Sequence, residues 1–270
     1  MVNIRRLMDM GVYGRIKSGP DVGTVPTWMS MGASQSHEML DLNSRAIWSI
    51  LADGNSRTAL LGLTADFPPY QVNGVSFASF PASGPTATIP VPLADPDPAP
   101  RSLSEQISSA SHTRWQTART LYSSQGWAYF QVVDLGLQAL GADFSEPTAI
   151  SDYYLWLDEQ VGSMLELLDD ETLLLVLSPR GVEVPAPAGA PPADGLFVLI
   201  APNCPLTGEY SGATLLDMAP TMLDLIGYGI PPSMQGKSLV AQMQKKQSGP
   251  DASLDEEALL RERLAGLGYI

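Results

Sequence analysis

The sequence predicts an α/β fold, with a mainly parallel central sheet flanked by helices on both sides. Three observations carry that expectation. Short apolar runs at Thr58–Leu63, Trp127–Val133, Thr172–Leu177 and Leu196–Ile200 read as buried strands. Segments with helical spacing separate these runs, and no strand hairpins dominate the chain. A length of 270 residues with 44% apolar content fits one packed domain, or one domain with a small appendage.

Residues 3–11 read as a short helix with Leu7 and Met10 inward, then an extended piece over Val12–Ile16 and a turn at Ser18-Gly19-Pro20. A second helix is expected near Pro26, because proline is tolerated in a first turn and Thr24 is a suitable cap. Asn43 is the expected cap of a third helix carrying Ile47, Ile50 and Leu51 on one side. That helix leads through Asp53-Gly54 into the strand at Thr58–Leu63. Residues 81–100 are rich in proline, which excludes a central strand or a regular helix and predicts an irregular insert.

A helix around 112–124 precedes the run Trp127–Val133. The longest helical pattern covers 147–168, with Pro147 in its first turn and Tyr154, Leu157, Val161, Met164, Leu165 and Leu168 at helical spacing. The nearly all-aliphatic run Thr172–Leu177 predicts a strand covered on both faces. After a Pro/Ala/Gly loop at 184–195 come the strand Leu196–Ile200 and a helix over Leu215–Ile226, interrupted or initiated at Pro220. These elements are read as a reduced α/β domain over 1–245, with the insert at 81–100. A linker and a C-terminal amphipathic helix over 246–270 follow, where Ser253 and Glu256 make a capping-box pattern ahead of Leu259, Leu260, Leu264 and Leu267.

Acidic residues outnumber basic ones 29 to 15, giving a formal charge of -14 to this acidic protein. No stripe of lysine and arginine is present to neutralise phosphates, so nucleic acid is excluded as a partner class. Cys204 is the single cysteine, which excludes an internal disulfide and a thiolate zinc cluster. No stretch of 18 apolar residues and no leader pattern occurs, so no intrinsic membrane segment is expected. The default location is the cytoplasm, with association to a membrane complex through a partner left open. His37 and His112 read as surface or capping residues, and Trp28, Trp115, Trp127 and Trp156 as core or boundary aromatics.

The ordered segments IRRLMDMGVYGRIKSG, TVPTWMSMGAS, YYLWLDEQVGSMLELLDDETLLLVLSPRG and LLDMAPTMLDLIGYGIPPSMQGKSL extend over almost the whole chain. Together they resemble the alkaline phosphatase superfamily, specifically its type I phosphodiesterase/nucleotide pyrophosphatase-like phosphohydrolase branch. The resemblance implies an alkaline-phosphatase-like core lacking the first strand. It also implies, in active relatives, two divalent metals around a Thr or Ser nucleophile, where metal charge lowers the nucleophile's pKa and stabilises phosphoryl oxygens.

On that resemblance TVPTW places Thr24 at the nucleophile position, and Asp134 matches a metal-binding aspartate. The remaining ligand positions are replaced. Gln138 stands four residues after Asp134 where a histidine is implied, Pro179-Arg180 replaces an Asp-His pair, and no histidine occurs after His112. Glutamine, proline and arginine are poor or impossible ligands for a hydrolytic zinc. Asp158 and Asp217 lie in family-like helical phrases and are expected as caps or framework acceptors.

Three functions are therefore in competition. The first is a pseudoenzyme: a catalytically inactive phosphodiesterase-like protein, with no cofactor, acting through protein–protein interaction as a structural or interaction subunit with a protein partner or as an oligomer. The second is a divergent phosphohydrolase using Thr24 with Zn, Mn or Mg held by Asp134. The third is a non-catalytic module that binds a phosphorylated ligand through the helix start at Thr24 and through Arg180.

Overall fold

Sequence-distant apolar side chains converge on one large cluster that includes Ile16, Trp48, Leu60, Phe197, Met218 and Leu223. The computed structural model describes residues 1–17, 24–40, 44–52, 57–63, 74–78, 103–124, 126–142, 147–181, 193–202, 204 and 207–247. In chain order these form α1 (Asn3–Met10), β1 (Val12–Ile16), α2 (Thr24–Ala33), α3 (Ile47–Ala52), β2 (Thr58–Leu63), β3 (Gly74–Ala78), α4 (Leu103–Ser124) and β4 (Tyr129–Val132). There follow α5 (Gly136–Ala142), α6 (Pro147–Leu165), β5 (Leu174–Arg180), β6 (Asp194–Ile200), β7 (Gly208–Glu209), α7 (Met218–Leu225) and α8 (Leu239–Gln247). Helices and strands alternate, as the buried runs predict.

The strands lie in two groups, β5-β6-β1-β7 and β3-β2-β4. In the second group both pairings are parallel. In the first, β1 is parallel to β7, while β6 runs antiparallel to both β1 and β5. Parallel pairing therefore accounts for three of the five described interfaces between strands. One helical layer, α1, α6 and α4, lies across both groups, with α1 on β6 and α4 on β2 and β4. Elsewhere around the apolar cluster α2 packs on both α3 and α7.

Two glycines make close approaches that a side chain would block. At Gly62, φ is +90° and a Cβ would fall 1.9 Å from the Val133 carbonyl oxygen, so β2 and the end of β4 meet here only because the position is glycine. A Cβ at Gly32 would meet the Trp48 ring at 2.3 Å, which lets α2 lie on the buried indole of α3.

Several local expectations are corrected. Leu7 is buried in α1, but Met10 points outward with 54% exposure, because the helix ends there and the chain turns at Gly11 into β1. The helix expected at 112–124 starts at Leu103, and His112 lies inside it rather than near its start. The short segments β3, α5 and α8 are additional; each is too brief or too polar to announce itself by periodicity. Residues 174–177 are half-buried rather than fully covered on both faces, and among the described residues β5 pairs only with β6. Asn43, the 81–100 insert and the helix expected after Ser253 lie outside the described residues.

Candidate functional site

In open α/β sheets, ligand sites gather beyond the carboxyl ends of parallel strands, and Asp134 occupies that place after β4. The Val133 amide extends the β2 ladder by donating to the Leu61 carbonyl at 2.8 Å, which fixes the backbone one residue before the carboxylate. Both carboxylate oxygens then meet protein donors. Oδ1 accepts from the Tyr153 hydroxyl at 2.7 Å and from the Gly136 amide at 2.8 Å. Oδ2 accepts from Trp115 Nε1 at 3.0 Å and from the Arg114 guanidinium at 3.1 Å.

This cluster is assembled from three elements. Ser111, Arg114 and Trp115 share one face of α4 by their i, i+3 and i+4 spacing. Tyr153 comes from α6, and its oxygen also lies 2.5 Å from Ser111 Oγ. Burial and the charge of Asp134 hold the Tyr153 phenol far above its ordinary range, so it stays a neutral donor. A Cβ on Gly136 would fall 2.0 Å from the Tyr153 oxygen, so glycine at 136 is what admits the phenol to the carboxylate. The Arg114–Asp134 pair is buried, its side chains exposed by only 12% and 6%. Nothing in the local sequence joins α4 and α6 to Asp134, although the one-face spacing of Ser111, Arg114 and Trp115 was the available signal.

None of the contacts described at Asp134 is made by the other predicted positions. Gln138 lies on α5 and is exposed. Pro179 and Arg180 end β5, where Pro179 stands across from Gly195 of β6 and Arg180 is in register with Asp194. Among the described residues β5 lies at the edge of its group of strands, a place where proline is tolerated. The Arg180 carbonyl accepts from Ser178 Oγ at 2.7 Å. Thr24 is the first residue of α2, and its side chain lies outside what the structure describes. His37 is in a short 3-10 turn, while His112 is exposed, 2.8 Å from the Ser108 carbonyl oxygen and tilted over Trp156 at 4.5 Å.

These residues do not fit a hydrolytic metal. Asp134 is enclosed by nitrogen and hydroxyl donors including a guanidinium, and positions 138, 179 and 180, where the sequence resemblance implies ligands, offer an amide, a proline ring and a cation. Among the described residues no group of three His, Cys, Asp or Glu side chains lies close enough to hold an ion. What the arrangement does is join helix to strand: a buried carboxylate ties α4, α6 and the start of α5 to the end of β4.

The two remaining carboxylates are framework acceptors. Asp158 of α6 receives the Val2, Asn3 and Ile4 amides at 2.7, 3.0 and 2.8 Å and thereby caps α1 from another helix. Burial alone would raise the Asp158 pKa; the three amides and the nearby terminal ammonium reverse that and hold it below the ordinary carboxylate range. Asp217 accepts from the Thr214 amide and hydroxyl, each at 2.8 Å, and from the Lys237 amide at 2.8 Å. Beside it Ser34, at φ +53°, donates to the Leu216 carbonyl at 2.6 Å and accepts the Gly236 amide at 2.9 Å.

The sequence matches no family model and no curated protein. Its structure is similar to solved ones. Over 89% of this chain and 68% of the other it superposes on a proposed sulfatase of Bacteroides thetaiotaomicron, with a TM-score of 0.64 at 13% identity. The lipoteichoic acid synthase LtaP of Listeria monocytogenes matches with a TM-score of 0.56 at 12% identity, over 88% and 69% of the two chains. The phosphonate monoester hydrolase of Silicibacter pomeroyi matches with a TM-score of 0.54 at 16% identity, over 88% and 70%. Strand pairing, helical layers and these superpositions agree that this chain has an alkaline-phosphatase-like α/β fold.

Proposed function

We propose that this protein is a catalytically inactive phosphodiesterase-like protein that serves as a structural or interaction subunit of a larger assembly. The observation that supports this reading is the saturation of Asp134. The one carboxylate at the end of β4 is consumed by Tyr153, Gly136, Trp115 and Arg114, so recruiting it to a metal requires breaking a buried ion pair and orphaning those donors. The ordered run of phosphodiesterase-like segments supports descent from the type I phosphodiesterase branch, with the scaffold retained after its ligands changed.

The test is metal analysis of the natively purified chain beside phosphomonoester and phosphodiester hydrolysis with added Zn, Mn or Mg. The expected result is no stoichiometric metal and no turnover. Bound metal with turnover that disappears in Thr24→Ala would overturn the reading in favour of the divergent phosphohydrolase, for which the placement of Thr24 at the start of α2 is the supporting feature. Saturable binding of a phosphate ester without product, lost in Arg180→Ala, would instead favour the ligand-binding module.

A further inference from the structure

We propose that the loop between α7 and α8 is a docking surface for a second copy of this chain, and that two copies meet there about a two-fold axis. The proposal deepens the interaction reading and rests on it. The loop presents three large apolar side chains at alternate positions: Ile226 is 40% exposed, Tyr228 46% and Ile230 40%. Exposed apolar residues are ordinary when scattered singly, whereas three within five positions make a patch. By contrast, the exposed side chains of Met10, Met39 and Leu167 each follow an acidic residue, and Leu155 stands between Asp152 and Glu159 on α6. Residues 225–236 contain no charged residue.

The patch is held in place at both ends. At its start α7 closes through Gly227, at φ +76°: the Gly227 amide donates to the Asp224 carbonyl at 3.1 Å and the Tyr228 amide to the Leu223 carbonyl at 2.8 Å. An apolar residue following such a closure commonly packs back on its helix, yet Tyr228 turns nearly half its surface to solvent. At the loop's far end the Gln235 amide donates to the Ser34 carbonyl at 2.7 Å, and Gln35 Nε2 donates to the Ser233 carbonyl at 3.1 Å. The Ser238 hydroxyl donates to the Asp224 carboxylate and ties the two ends together. Pro231 and Pro232 restrict the backbone between them. A patch fixed in advance loses little conformational entropy when it is covered.

Charge selects the occupant. At a two-fold axis a residue faces its own copy, so a charge near the axis meets its like. Two chains that each carry a formal charge of -14 therefore approach closely only where charge is absent or balanced. This loop meets both conditions. Its centre is uncharged, and its base carries one exposed acid and one exposed base, Asp224 and Lys237, which a rotated copy sets beside their opposites. A basic partner, in contrast, is drawn to the acidic surface elsewhere on the chain. The shape agrees with self-association: a Cβ at Gly227 or at Gly229 would meet nothing within 4 Å, so open space lies on either side of Tyr228. Ridges at 226, 228 and 230 alternate with gaps at 227 and 229, and the Tyr228 ring of one copy fits the gap beside the Tyr228 ring of the other.

Sedimentation velocity of the full chain over about 1 to 200 μM tests this. The expected result is a reversible monomer–dimer equilibrium in the micromolar range, as suits a small patch. Tyr228→Lys reduces the net negative charge and so weakens general repulsion between copies, but it sets like charges against each other at the contact. Association weaker by about tenfold or more is expected, with the circular dichroism spectrum unchanged because the position is exposed. Tyr228→Glu alone is expected to weaken association as well, and an equimolar mixture of the Tyr228→Lys and Tyr228→Glu chains to restore it. A monomer at every concentration, an undiminished dimer in either variant, or no recovery in the mixture would overturn the proposal. So would a monomer that sediments with phosphatidylcholine vesicles and loses that binding in Tyr228→Glu, which would assign the loop to a lipid surface. Each of these failures is separate from the metal and turnover assay, which alone decides whether the protein is inactive.

Discussion

Two carboxylate clusters, one around Asp134 and one around Asp217, use similar chemistry for one kind of task, yet only Asp134 stands where the sequence resemblance implies a metal ligand. Around Asp217, the acceptor set binds Thr214 and Lys237 backbone groups and locks the segment entering α7 to the segment entering α8. Around Asp134, the same saturation of both oxygens falls at a strand end, and the donors are side chains drawn from α4 and α6. The lesson is that a carboxylate's position in the fold does not reveal its role. Its donors do, because a carboxylate whose two oxygens each already receive two donors, one of them a guanidinium, has little capacity left for a cation.

The comparison can be broken most severely at Asp134. Asp134→Ala leaves the buried Arg114 unpaired and Tyr153 and Trp115 without their acceptor, so a loss of about 3–5 kcal/mol is expected in denaturant unfolding. A retained midpoint would mean the carboxylate is not the structural tie described above. Asp217→Ala should cost about 2–3 kcal/mol, since it leaves the Thr214 and Lys237 amides without their acceptor. If its cost equalled that of Asp134→Ala, the buried ion pair would be adding nothing beyond neutral hydrogen bonding.

Tyr153→Phe removes one donor while keeping the ring, and about 1 kcal/mol is expected. The Asp158 cap gives a pH signature. Its folded pKa is depressed, so its contribution is complete above the unfolded carboxylate range, near pH 4, and is lost as the pH falls through the lower folded value. Wild-type protein should therefore lose stability below about pH 4 more steeply than Asp158→Asn, measured by thermal unfolding across that range. The smallest effect is expected from Gln138→His. An imidazole on exposed α5 should leave metal content unchanged, because Asp134 remains committed; metal uptake on this single change would show that its donors yield easily.

Much of the fold was legible from local pattern. The strands β1, β2, β5 and β6 and the helices α1, α2, α3, α6 and α7 lie where apolar runs and capping or first-turn residues put them. Pro147 and Pro220 sit in the first turns of α6 and α7. The inward face of α6 was readable too, but its incomplete burial was not, because periodicity gives direction and not coverage. The candidate site was legible only as a set of replacements. Sequence shows that Gln138, Pro179 and Arg180 stand where ligands are implied, yet it is silent on what Asp134 does instead.

The amino-acid sequence by itself determined the alternation of helices and buried strands, the acidic surface and the residue types at each implied ligand position, because these depend on short-range spacing and side-chain chemistry. Only the tertiary structure decided that Asp134 is enclosed by Ser111, Arg114, Trp115 and Tyr153, and that Asp158 caps α1. Those facts join residues about 20 to 156 positions apart. They follow from how layers stack and edges pair, and no local window of sequence contains them.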